Sequence, residues 1–126
     1  MTKIDGLMEI ILYVQDMKAQ VSFYQDKLGL TVIEPQGITD FSDVYWVEFD
    51  TGPCTLVLHG GGQRRHGEDA PKVVFRVEDI EAVRTELIGQ GVRLGEVRSP
   101  APEVWVCDGL DPEGNKFSIE TKALRP

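Results

Sequence analysis

Residues 8–34 read MEIILYVQDMKAQVSFYQDKLGLTVIE, and this stretch decides the fold. Met8, Ile10, Leu12 and Val14 alternate with Glu9, Ile11 and Tyr13, the period of a strand that lays one face against a helix. Asp16 then supplies an N-cap, its carboxylate accepting from the free amides of a first helical turn. Met17, Val21, Tyr24 and Leu28 fall on one stripe of a helix that Gly29 ends. Strands are expected at Leu30–Glu34, Val44–Asp50 and Thr55–His59, separated by turn signals at Pro35–Gly37 and at Thr51, Gly52 and Pro53.

Further along, the same plan starts again. Val73–Val77 reads as an apolar strand, Asp79 as the cap, Ile80, Val83 and Leu87 as the helical stripe, and Gly91 as its end. Strands follow at Val92–Val97, Val104–Cys107 and Lys116–Thr121. Val14-Gln15-Asp16 matches Val77-Glu78-Asp79 at an offset of 63, and Leu56–His59 matches Phe117–Glu120 at an offset of 61. The expected fold is α+β: a single domain over 1–126 of two tandem βαβββ modules, 6–60 and 71–122, joined by a crossover loop over 60–71. Together the modules would form a curved mixed sheet around a cavity.

Thirteen basic against twenty-one acidic side chains give a formal charge of −8, which disfavours nucleic acid and anionic membrane surfaces as partners. No apolar run approaches the roughly 20 residues that span a bilayer, and Met1–Asp5 lacks signal-peptide character, so a cytoplasmic protein is expected. Cys54 and Cys107 have neither zinc-ligand spacing nor the number for a disulfide scaffold.

Alternation gathers Glu9, Tyr13, His59, Lys72, Arg76, Ser118 and Glu120 on the face away from the helices, mixed with Ile11, Val57 and Val74. Such a face is either simply solvated or a small-molecule site with a few polar groups on apolar walls; the apolar members favour the site. His59 is a candidate general base or hydrogen-bond partner, or else a solvated strand end. Lys72 and Arg76 would receive an anionic group, or pair across strands with Glu9 and Glu120. Tyr13, Trp46 and Trp105 are candidate walls for a planar ligand, although the register leaves open that either tryptophan lies on the helix side. Cys107 has no adjacent histidine and reads as a buried thiol. Gly60–Gly67, with Arg64, Arg65 and His66, lacks the GK[ST] ending and following helix of a phosphate loop; it reads as a basic crossover able to act as a lid.

Val14-x-Asp16, Ser22-Phe23-Tyr24 and Leu28-Gly29-Leu30, with the turn Asp111-Pro112-Glu113-Gly114-Asn115, resemble the vicinal oxygen chelate superfamily. That group includes glyoxalase I, bleomycin-resistance proteins, fosfomycin-resistance enzymes and extradiol dioxygenases. The resemblance implies the two-module fold and a homodimer. In metal-dependent members it also implies one ligand from each of four strands, and those positions here hold Glu9, Val57, Lys72 and Ser118. Val57 has no donor atom and a protonated Lys72 no lone pair, so the resemblance points to binding or sequestration of a small organic ligand without a cofactor. Lys72 would then sit near Glu9 and supply the positive charge a metal supplies elsewhere. The alternatives are a metal-dependent lyase, isomerase or dioxygenase holding Zn, Ni, Fe or Mn through Glu9, His59 and Glu120, and a metal-free enzyme with His59 or Glu9 as base.

Overall fold

The computed structural model describes residues 8–61 and 71–122. The chain divides into two compact units, Met1–Arg64 and Arg65–Pro126.

The first unit runs β1 (Glu9–Val14), α1 (Met17–Val21), β2 (Thr31–Glu34), β3 (Trp46–Asp50) and β4 (Thr55–Gly60). Its sheet has the order β1-β4-β3-β2, with β1 parallel to β4 and the other pairs antiparallel. Asp16 caps α1, its Oδ1 accepting from the Ala19 amide at 3.0 Å. The expected single helix changes its winding: after Val21 the chain continues as a π-helical segment over Ser22–Lys27, closed by Leu28 N–H on Phe23 O at 3.0 Å. The wider turn brings Phe23 and Tyr24 inward together, their rings edge to face at 5.0 Å, and Tyr24 reaches Phe49 at 6.0 Å. Gly29 follows at φ 79°, a conformation that closes a helix at low cost only without a Cβ. Val14, Val47, Phe49, Leu56 and Leu58 are buried with these rings in the core. Met8, assigned by alternation to the same core, precedes β1 and is exposed, although its carbonyl accepts from the Thr55 amide at 2.9 Å.

The second unit runs β5 (Val73–Arg76), α2 (Ile80–Gly89), β6 (Arg93–Leu94), β7 (Arg98–Ala101), β8 (Val104–Leu110) and β9 (Lys116–Lys122). Its sheet has the order β5-β9-β8-β6, again with one parallel pair, β5 with β9, and β7 added beside β8. The β7 strand is the one departure from the βαβββ plan; the expected strand Val92–Val97 keeps only Arg93–Leu94, and the chain re-pairs with β8 further on. Asp79 caps α2 through the Ala82 amide at 3.1 Å, repeating Asp16. Ile80, Leu87, Val92, Cys107, Phe117 and Ile119 form this unit's core.

The last hairpin of the second unit turns on Asp111, whose carboxylate is fully buried. Its Oδ1 accepts from the amides of Glu113 and Asn115, both at 2.9 Å, and its Oδ2 from Asn115 Nδ2 at 2.7 Å. Gly114 supplies the positive φ of 87° that such a turn requires, and Arg93 donates to the Asp111 carbonyl at 2.9 Å. The crossover residues Arg64, Arg65 and His66 lie outside the described residues.

Candidate functional site

In the first unit, Tyr13, His59 and Trp46 stand in one row across β1, β4 and β3, on the face away from α1. Tyr13 and Trp46 flank the His59 ring at 4.9 and 5.5 Å between centroids, and Tyr45 approaches it edge-on at 5.0 Å. Glycines make that last contact possible. Tyr45 lies over Gly60 and Gly61, where an added Cβ would meet its ring at 3.3 Å and its hydroxyl at 2.6 Å. The first glycines of the run at 60–67 thus make room for an aromatic side chain. His59 Nδ1 sits 2.8 Å from the Gly60 carbonyl. A carbonyl only accepts, so in neutral His59 the proton is on Nδ1 and Nε2 keeps its lone pair. Trp46 Nε1 donates to Glu48 Oε2 at 2.9 Å, which holds the indole against the sheet.

Glu48 lies on this face as well, opposite Val57, and sequence reasoning missed it. The signal was present: Val47 and Phe49 are the apolar partners in strict alternation with Trp46 and Glu48. Val57, central on the face, is fully buried, while its row neighbour Ile11 on β1 is exposed.

The second unit repeats the geometry with other side chains. Val74, Ser118 and Asp108 share one row, and Arg76, Glu120 and Val106 the next. Ser118 is fully buried, its hydroxyl donating to Glu120 Oε2 at 3.3 Å. Lys72 pairs with Asp108 at 3.2 Å, and Arg98 with the same carboxylate at 3.1 Å. Partial burial pushes the Asp108 carboxyl up, but hydrogen bonds from Arg98 and Lys72 and their charges prevail and hold it below its ordinary value. Asp108 and Glu48 are equivalent, facing Ser118 and Val57 on the neighbouring strands, and both were absent from the sequence-derived set. Trp105 does not join the second face: it pairs with Thr121 on the helix side, the face it shares with Cys107, beside Ile80 and Glu81. Cys107 lies buried there, Sγ 3.3 Å from the Gly95 carbonyl, and desolvation raises its pKa above the ordinary thiol value against the opposing charge of Arg84. A thiol so held is a poor nucleophile.

The side chains at the ligand positions that the resemblance implies are a poor set for a catalytic metal. Glu9 pairs with Thr55 and His59 with Tyr13, four residues apart along the same two strands, or about 13 Å at the rise of a strand. Ligand atoms lie about 2 Å from a first-row ion, so Glu9 and His59 would share one only with both side chains extended toward each other along the face. Of the four positions the resemblance implies, Val57 has no donor, Ser118 donates to Glu120, and Lys72 is engaged by Asp108. Among the described residues no three His, Cys, Asp or Glu side chains cluster to hold an ion.

Two mixed sheets, each with a capped helix on one face, define a class of paired-module α+β proteins. The model of the Glyoxalase/Bleomycin resistance protein/Dioxygenase superfamily matches residues 4–119, and the chain belongs to that family. Among solved structures, SMU.1112c is similar at 25% identity and TM-score 0.75, covering 94% of this chain and 99% of its own. TnmS3, an antibiotic binding protein from Streptomyces sp. CB03234, is similar at 18% identity and TM-score 0.75, covering 98% and 100%. Lactoylglutathione lyase from Agrobacterium tumefaciens is similar at 19% identity and TM-score 0.70, covering 94% and 95%. No curated protein matches the chain. Among the described residues no helix is long and apolar enough to cross a membrane.

Proposed function

We propose that the protein binds a small organic molecule with a planar ring system on the second face of its first unit, without a catalytic metal. The observation that carries this reading is the convergence of Tyr13, Tyr45 and Trp46 on His59. Aromatic walls offer stacking area to a flat ligand, and His59 Nε2 offers it one directed acceptor. A fold shared with both an antibiotic binding protein and a lyase is compatible with binding and with catalysis; the residue chemistry favours binding.

Trp46 and Trp105 are the two tryptophans, so in Trp105→Phe the fluorescence comes from Trp46 alone. Titration of that variant with bleomycin and with a panel of planar aromatic acids, naphthalene-2-carboxylate first among them, should find a compound that quenches Trp46 and raises Tm with the logarithm of its concentration. Adding His59→Ala should weaken that compound about tenfold, the loss of one directed hydrogen bond and its ring contacts. A binder indifferent to His59→Ala would place the site elsewhere. A fall in Tm on adding EDTA would overturn the metal-free part of the reading.

A further inference from the structure

At one end of its sheet, beside the end of α2, the second unit contains a cleft of about 840 Å³ that reaches from Leu94 and Phe117 on the helix side to Lys72 and Asp108 on the other face. Its origin lies in the repeat. Phe49 pairs with Leu56 and Gly109 pairs with Phe117, so Phe49 and Gly109 are equivalent, as are Tyr24 and Leu87 eight residues beyond Asp16 and Asp79. Where the first unit packs two large rings, the second has a leucine and a glycine. Phe117 and Leu94 lean over Gly109, where an added Cβ would lie 2.7 Å from each, and the space that remains opens as the cleft.

The walls are apolar: Ile88 from the end of α2, Val92 and Leu94 from the chain after it, and Leu110 and Phe117 from the hairpin. Its polar side chains are Lys72, Arg93 and Lys116 with one carboxylate, Asp108, which is itself held by Lys72 and by Arg98. Three cations to one engaged carboxylate is a local excess of positive charge in a chain of net −8. At the matching edge of the first unit a smaller depression, about 480 Å³, has no charged side chain among its described lining residues. Size, apolar walls and rim charge therefore all distinguish the second unit.

We infer that this cleft is a binding site for a monomeric amphiphilic carboxylate of medium chain length. The tail would lie along Ile88, Leu94 and Phe117, and the carboxylate would meet the cations at the rim.

Calorimetric titration of the full chain with decanoate, decanol and decyltrimethylammonium, each below its micelle concentration, tests the site. Decanoate should bind at least tenfold more tightly than the other two. Ile88 is 42% exposed, so Ile88→Glu leaves the fold intact while setting a carboxylate on the apolar wall, and it should weaken decanoate at least tenfold. Lys116→Gln should weaken it severalfold and reduce the dependence on salt. Equal affinity for decanol would remove the anion from the inference, and an affinity unchanged by Ile88→Glu would remove the cleft.

Discussion

Phe49 and Gly109 occupy the same place in two copies of one plan, and the difference between them organises much of the molecule. In the first unit Phe49 meets Tyr24 under a helix that widens into a π-helical turn, and Phe23 is drawn in beside them. In the second unit the regular helix α2 presents Ile80 and Leu87 to a sheet that has a glycine at that position, and a cleft results. The opposite faces also differ. One gathers Tyr13, Tyr45 and Trp46 around a histidine, whereas the other is tied by ion pairs of Lys72 and Arg98 to Asp108. Repetition of the strand plan thus preserves the backbone, while the side chains at equivalent positions decide which unit has a packed core and which has room.

The comparison breaks first at the aromatic pair. Phe49→Ala deletes a fully buried ring, and its cost should be about 3–5 kcal/mol in urea denaturation. Leu87→Ala should cost about 2 kcal/mol, the low end for such a truncation, because its surroundings border an existing cleft and can relax into it. Equal costs would mean that the rings add nothing to the first unit's packing.

A second contrast lies in the turns that enter β4 and β9. Residues 50–54 and 111–115 align at the same offset of 61 as the strands that follow them. Asp111 is fully buried and accepts three hydrogen bonds from Glu113 and Asn115, whereas Asp50 is exposed and accepts one, from the Gly52 amide at 2.9 Å. Asp111→Ala should therefore destabilise the protein by about 2–4 kcal/mol and Asp50→Ala by about 1 kcal/mol or less, measured by the same denaturation. If the two costs agree, the buried network around Asp111 carries no special stability.

The fold was legible in the sequence because its signals are local. Asp16 and Asp79 cap helices as their spacing implies, Gly29 and Gly91 follow the helices at positive φ, and alternation assigned the faces of β1, β4, β5 and β9. The π-helical turn was not legible, since it reflects how Phe23 and Tyr24 pack rather than any propensity of Ser22–Lys27. The site was legible in part. Tyr13 and His59 follow from alternation within their strands, but the place of each tryptophan depends on register after a long loop. Trp46 and Trp105, so alike in a sequence reading, end on opposite faces because the equivalent of Trp46 is Val106, one residue further along β8 than Trp105. Glu48 and Asp108 escaped notice for that same reason.

Those two carboxylates supply the smallest of the expected effects and the most specific. Both stand at one position of the plan, but Glu48 accepts from the neutral indole of Trp46 and Asp108 from two cations. Asp108 titrates below its ordinary value in the folded chain, so its contribution to stability is complete above the unfolded value near 4 and is lost as pH falls through the lower, folded one. The carboxylate is half exposed, and solvent screening limits the effect to a few tenths of a kcal/mol. The stability gap between wild type and Asp108→Asn should therefore be present at pH 7, close below the ordinary carboxylate range, and shrink when salt rises from 0.05 to 0.5 M. Glu48→Gln keeps an oxygen for the uncharged indole donor, and its gap should not change with salt. Chemical denaturation across pH and ionic strength reads both, and a salt response shared equally by the two variants would show that the cations do not set Asp108 apart from Glu48.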